Sequence, residues 1–216
     1  MLPFVGRGAY HGVAMREEAA ATYLEPYVRA ARQWGAGFQA LLWASTKTQR
    51  ARFEAIRRIH PLEGKSVLDA GCGRADLMAY LLDRGTPPAD YIGLEAVETL
   101  AAAARERNYA GARIIRGDFV SDPAKLFVGA DVIVFSGSLN TMADDLFYRT
   151  LRRAYDATAE AVVFNYLASP ALAGKDFLVW HREQDVTSFA RKTADEVRVL
   201  ADYLPGDCTI AMIKHA

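Results

Sequence analysis

Nowhere in the chain do about 18 uncharged apolar residues run together, so no segment reads as a membrane-spanning helix. The opening residues, MLPFVGRGAYHG, also lack the apolar run of a secretory signal peptide. Cysteine is scarce: Cys72 and Cys208 are the only two, and neither stands in a CxxC pair. A zinc knuckle or a disulfide scaffold is therefore unsupported, no metal is expected, and a reducing, cytoplasmic compartment is the simplest location. Net charge is missing too, because 26 Lys plus Arg balance 26 Asp plus Glu. That leaves no overall positive field to gather nucleic acid or anionic lipid. Internal repeats, low-complexity tracts and linkers are absent. What remains is 216 residues, 51% apolar and 11% aromatic, the composition of one globular domain with a sizeable core.

Glycines and aromatics mix in residues 1–12, which reads as an arm or lid held by contacts rather than by its own helix. Good helix formers dominate from Met15 to about Ala31, with Tyr23, Tyr27 and Ala31 along one face, until Gly35 and Gly37 interrupt. A second helix is expected from about Thr46, facing Phe53, Ile56 and Ile59 inward, with His60-Pro61 and Gly64 as its stop. Beyond Ser66, short apolar runs alternate with helical stretches: Val67 to Ala70, Tyr91 to Leu94, Ala112 to Ile115, Asp131 to Phe135 and Ala161 to Tyr166. Such alternation is the mark of βαβ units and a doubly wound parallel sheet. Val197 to Tyr203 and Cys208 to Lys214, joined by Pro205-Gly206-Asp207, read instead as an antiparallel hairpin. The expected fold is α/β: a Rossmann-like, mostly parallel seven-stranded sheet with that hairpin at its end. Residues 1–60 supply an arm and helical lid of the same domain, 61–216 its core, and Pro170 to Ser188 is the least regular later piece.

The most informative segment is VLDAGCGRAD, residues 67 to 76, a buried strand entering a glycine turn and then a helix. Glycines there let a ligand approach the backbone. Glu95, 22 residues beyond Gly73, ends the next strand, where a carboxylate accepts hydrogen bonds from both hydroxyls of a ribose. Asp118, beside Phe119 and beyond the third strand, could accept from an adenine amino group. A nicotinamide dinucleotide fits less well, because Asp76 replaces the third glycine of GxGxxG and would face a pyrophosphate. A P-loop lysine is absent as well.

With these motifs, the chain from roughly Ser66 to Lys214 resembles the class I S-adenosylmethionine-dependent methyltransferases. VLDAGCG at 67 to 73, which contains Asp69, is similar to their first motif, GLEA at 93 to 96 to their second and GDF at 117 to 119 to their third. The resemblance implies S-adenosylmethionine as cofactor, its amino-acid tail over Gly71 and Gly73, its ribose on Glu95 near Ala96, and its adenine beside Asp118 and Phe119. DVIVFSGSLN at 131 to 140 would place Ser136 and Gly137 below the methionine part and turn Ser138 to Asn140 toward the substrate. Arg52 resembles in position residues that some relatives use to pair with the cofactor carboxylate. DYLPGDCTIAMIK, residues 202 to 214, is similar to the last hairpin, especially in a subgroup of uncharacterised bacterial members.

The activity so implied is methyl transfer, here to a small-molecule acceptor. Such chemistry needs orientation and water exclusion more than covalent help. His11 and His181 are candidate bases for a protic acceptor, and Trp43 is a candidate for stacking on it. The Asn/Asp-Pro-Pro-aromatic signature that holds base amino groups and glutamine amides in this superfamily is replaced by Ser136-Gly137-Ser138. Two alternatives stay open. One is an RNA methyltransferase, because residues 7–58 carry nine Lys plus Arg against four acids; Arg29, Arg32, Arg50 and Arg57 would then line one groove. The other is an inactive cofactor-binding module acting through a protein partner, which would lack an open acceptor pocket.

Overall fold

The computed structural model describes residues 23–215. The arm at 1–12, His11 and the first part of the helix expected from Met15 lie outside the described residues. Helix α1 (23–34) runs to Gly35, whose φ of +58° only glycine adopts freely. A short 3-10 turn, Phe38–Leu41, then leads into α2 (Thr46–Ile59). Ser45 caps α2: its hydroxyl accepts from the Thr48 amide, and the Thr48 hydroxyl oxygen accepts from the Ser45 amide, a reciprocal capping box. Gln49, Arg52, Phe53 and Ile56 all point inward, so one turn-by-turn stripe of α2 carries two polar side chains into the interior.

Seven strands follow: β1 (Ser66–Ala70), β2 (Asp90–Glu95), β3 (Ala112–Arg116), β4 (Val132–Phe135), β5 (Ala161–Leu167), β6 (Glu196–Leu200) and β7 (Asp207–Ile213). Between them run α3 (Asp76–Asp83), α4 (Glu98–Glu106), α5 (Asp144–Ala157) and α6 (Glu183–Thr193). The spatial order is β3-β2-β1-β4-β5-β7-β6, with β7 antiparallel to both neighbours and the remaining pairs parallel. The expected doubly wound sheet with an antiparallel end is what forms. Alternation along the strands builds two cores. Leu68, Ile133, Phe135, Val162 and Phe164 pack on α5 and α6, while Val67, Val132, Val134 and Val163 pack on α2 and α3. Strand order reverses between β1 and β4, so loops diverge there and leave a crevice at the carboxyl ends of the strands.

Two expectations shift. The stretch expected to be least regular runs into α6, whose first six residues it contains; the helix's fully buried positions are only Val186 and Ala190, with Phe189 partly buried beside them. Strand β6 also stops at Leu200, and Asp207 belongs to β7 rather than to the turn.

Candidate functional site

The crevice between β1 and β4 opens into a cleft of about 880 Å³, solvent at its open mouth included, floored by the glycine turn after β1 and roofed by α1 and the segment 41–43. Asp69, Gly71, Gly73, Glu95, Ala96, Phe119, Ser136, Gly137, Arg52, Trp43 and Asn140 all line it. Eleven residues singled out from the sequence thus meet in one place. Asp118 and His181 are not among its lining residues.

Backbone crowding explains why glycine is needed. Gly71 has φ +81°, and a Cβ added to it would sit 2.5 Å from the Cβ of Ser138, whose hydroxyl donates to the Ala70 carbonyl at 2.7 Å. Gly137 has φ +78°, and its Cβ would lie 3.0 Å from the Trp43 ring. Glycine at 71 keeps the β1 and β4 loops in contact, and glycine at 137 seats Trp43 against the β4 loop.

Glu95, 6% exposed, anchors the floor. One carboxylate oxygen accepts from the Gly73 amide and the other from the Val97 amide, both at 2.8 Å. Burial raises its pKa, and these backbone donors oppose the rise. Each oxygen keeps a second lone pair for a diol. Asp118 uses one oxygen twice, accepting from the Val120 amide at 2.8 Å and from the Tyr23 hydroxyl. Phe119 alone of that pair reaches the cleft wall, edge-on to Phe135 with centroids 5.4 Å apart. Asp76 opens α3 at the same floor, accepting from Arg107 at 2.5 Å and from Gln49 and Arg74 at 3.1 Å.

Asp69 is 2% exposed and accepts from the Tyr91 hydroxyl at 2.5 Å. Burial pushes its pKa up to about 7 against the pull of the Tyr91 bond, with Glu95 and Asp76 adding repulsion. The folded protein therefore keeps a proton that the unfolded chain releases near pH 4. Its contribution to stability is full below about pH 4 and falls as pH rises to about 7. Urea unfolding at pH 5 and pH 8 should show wild type losing stability relative to Asp69→Asn across that interval. A difference that stays constant means Asp69 ionises normally.

Arg52 is 7% exposed and does not reach out as a free cation. Its Nε donates to Asp207 Oδ2 at 2.7 Å, Nη2 donates to the same oxygen, and the guanidinium lies 5.0 Å from the Trp43 ring centroid. Nη1 faces the cleft, 3.6 Å from where a Cβ on Gly137 would stand. Asn140 presents a buried Oδ1 with no hydrogen-bond partner, a vacant acceptor in the cleft wall.

His181 is placed elsewhere. Its ring stacks on Phe147 at 3.8 Å, and Nδ1 stands 2.8 Å from Asp144 Oδ1 at the start of α5. Burial lowers its pKa. Packed beneath α5, the ring does not line the cleft, and among the described residues lining the cleft there is no histidine. Sequence reasoning also missed Tyr27, whose hydroxyl donates to the Gly137 carbonyl at 3.2 Å, and Asp207. The signal for Asp207 was a carboxylate opening the strand Asp207–Ile213, whose every residue is buried, which requires a buried partner.

The described residues contain no cluster of His, Cys, Asp or Glu suited to a metal ion and no helix long and apolar enough to cross a membrane. Residues 67–161 match the family model of a methyltransferase domain. No curated protein matches the chain. Among solved structures, magnesium protoporphyrin IX methyltransferase from Synechocystis PCC 6803 with bound S-adenosylhomocysteine superposes with TM-score 0.62. It is 13% identical, over 94% of this chain and 100% of that one. The DhpI–S-adenosylhomocysteine complex gives TM-score 0.65 at 16% identity, over 90% and 96%. The methyltransferase domain of bacterial CtHen1 gives 0.60 at 13%, over 78% and 100%. At these identities the likeness is one of fold.

Proposed function

We propose that the chain, whose residues 67–161 match a methyltransferase domain and whose fold is shared with S-adenosylmethionine-dependent methyltransferases, holds S-adenosylmethionine in its cleft and transfers the methyl group to a small molecule. The observation that carries this reading is Glu95, a buried carboxylate fixed by two backbone amides at the carboxyl end of β2, beside a glycine turn where any Cβ would collide. Glu95 would take the ribose hydroxyls, Phe119 the adenine face, and Gly71, Gly73, Ser136 and Arg52 the amino-acid tail. When bound, the cofactor supplies an activated methyl group on a sulfonium centre.

The chain's own residues then have three tasks. Glu95 and the glycine turns fix the nucleoside, which sets direction. Tyr27, Leu42 and Trp43 close over the cleft and keep water from it. Asn140 offers its unpartnered Oδ1 to a hydroxyl or amine on the acceptor. Past Tyr23, Leu42 and Trp43 the cleft continues into an open groove lined by Trp34, Phe177 and Lys175, which suits an organic acceptor with aromatic or apolar surface. That open path favours an enzyme over an inactive module.

An RNA acceptor is less well supported. Arg29 borders the groove but pairs with Glu25 at 2.5 Å; Arg50 pairs with Asp83 at 3.1 Å and Arg57 with Glu54 at 2.7 Å. Arg32, Arg50 and Arg57 line neither cleft nor groove, so the four make no continuous basic track.

Calorimetry should give binding of S-adenosylmethionine and S-adenosylhomocysteine and none of NAD, and a metabolite library incubated with S-adenosylmethionine should release S-adenosylhomocysteine with one small compound. Heat from NAD alone overturns the assignment. Turnover on RNA but on no metabolite overturns the acceptor class.

A further inference from the structure

One buried polar chain has both of its ends in the cleft, and the sequence reading did not assemble it. Ser136 Oγ donates to Asn165 Oδ1 at 3.1 Å, and Asn165 Nδ2 donates to Thr209 Oγ1 at 2.6 Å. The Thr209 hydroxyl donates to Tyr203 at 2.8 Å, and the Tyr203 hydroxyl donates to Asp207 Oδ1. Arg52 approaches Asp207 from the other side, through Nε and Nη2 on Oδ2. Asp207, 2% exposed, is thus the sink of the network, with both oxygens engaged. Asn165 and Thr209 are fully buried where β5 pairs with β7. Ser136 and Arg52, the two termini, line the cleft.

Nothing about fold stability demands this arrangement, since apolar side chains of similar volume would fill the space between β5, β7 and α2 at least as well. What the network does is aim. An arginine has many rotamers, and one free to choose among them binds a carboxylate with less preorganisation than one locked along its Nε–Nη2 edge. Asp207 locks that edge and leaves Nη1 facing the cleft beside Gly137. The hydroxyl and amide donors run in one direction toward Asp207, so each bond polarises the next. Ser136, at the far end, is held in the same register.

Resting on the cofactor reading above, we propose that Asp207 is a positioning residue for the amino-acid tail of the cofactor. It acts through Arg52 directly and through Tyr203, Thr209 and Asn165 on Ser136. It touches no ligand itself. Its role is specificity: it gives the tail-bearing nucleoside its advantage over the same nucleoside without a tail.

The test compares two ligands on the full chain by calorimetry: S-adenosylhomocysteine, and methylthioadenosine, which keeps adenine, ribose and sulfur but lacks the amino acid. Wild type should bind S-adenosylhomocysteine far more tightly. In Asp207→Asn the ratio of the two dissociation constants should fall about tenfold or more, the scale of losing charge-assisted hydrogen bonds, with methylthioadenosine binding changed less than about twofold. Tyr203→Phe keeps the ion pair and removes one donor, so it should fold even if Asp207→Asn does not, and should lower the ratio by about threefold.

Equal losses for both ligands would show that Asp207 only supports the fold, and overturn the proposal. An unchanged ratio in folded Tyr203→Phe, or tighter tail-dependent binding in Asp207→Asn, would overturn it too. The latter means that Asp207 merely competes with the ligand for Arg52. Failure of wild type to bind either nucleoside strikes the cofactor reading itself, before any variant is compared.

Discussion

Glu95→Ala should weaken binding of S-adenosylhomocysteine by about 3 kcal/mol, on the order of a hundredfold, because a charged acceptor for two hydroxyls disappears. The same substitution reaches further than a ligand contact. The amides of Gly73 and Val97 both donate to this carboxylate at 2.8 Å, and alanine leaves two buried donors unpaired, each costing about 1–3 kcal/mol. Removing a carboxylate that burial already disfavours offsets part of that loss. A lower melting temperature is expected, with a folded protein at room temperature. Glu95→Gln should fall between, since its amide keeps one acceptor oxygen and turns a donor toward the other backbone N–H. Calorimetry and thermal melts on both variants read the two effects separately, and an unchanged dissociation constant in folded Glu95→Ala removes this residue from the site.

The second large effect concerns Gly71. Alanine there meets the Ser138 Cβ at 2.5 Å and must also hold φ at +81°. Overpacking and left-handed backbone together should cost about 3 kcal/mol. For a chain of 216 residues that is a fall of roughly 10 °C in melting temperature. The two causes can be parted. Gly71→Ala combined with Ser138→Gly removes the collision and leaves the strained φ, so the double variant should melt between wild type and Gly71→Ala. Cofactor binding should stay impaired in both, because the added methyl stands on the cleft floor. If Gly71→Ala melts like wild type, the close approach of the two loops is not a real constraint.

Some of this was legible because it depends on local pattern. The apolar runs at β1, β2, β4 and β5 are buried throughout or nearly so, and a continuous buried run is hard to mistake. The glycine turn and Glu95 could be read because spacing along a βαβ unit fixes which residues meet. Helix α6 was missed because its fully buried face is two residues wide and, Phe189 apart, the rest of EQDVTSFARKT is polar. His181 looked free in a chemically irregular stretch, but stacking on Phe147 depends on how α5 lies, which no local pattern reports. Arg52 and Asp207 are 155 residues apart, and neither residue's local sequence points to the other. Their burial as a pair is a tertiary fact. Even so, an arginine on the inward stripe of an amphipathic helix and an aspartate opening an apolar strand were both anomalies, and two such anomalies of opposite sign suggest one another.

The position of β7 has a consequence for how the molecule comes into being. It is the seventh strand in the order of synthesis but the sixth in space, wedged between β5 and β6. While the chain is still emerging from a ribosome, β5 has an open edge and β6 has no partner. Both wait for residues 207–213. The carboxylate that orients Arg52 is the first residue of that strand. Binding competence should therefore arrive abruptly, when β7 slides into place, rather than growing with chain length. A nascent polypeptide halted before residue 207 would carry the glycine turn and Glu95 yet have an unguided arginine and an exposed sheet edge, a species suited to chaperones and not to catalysis.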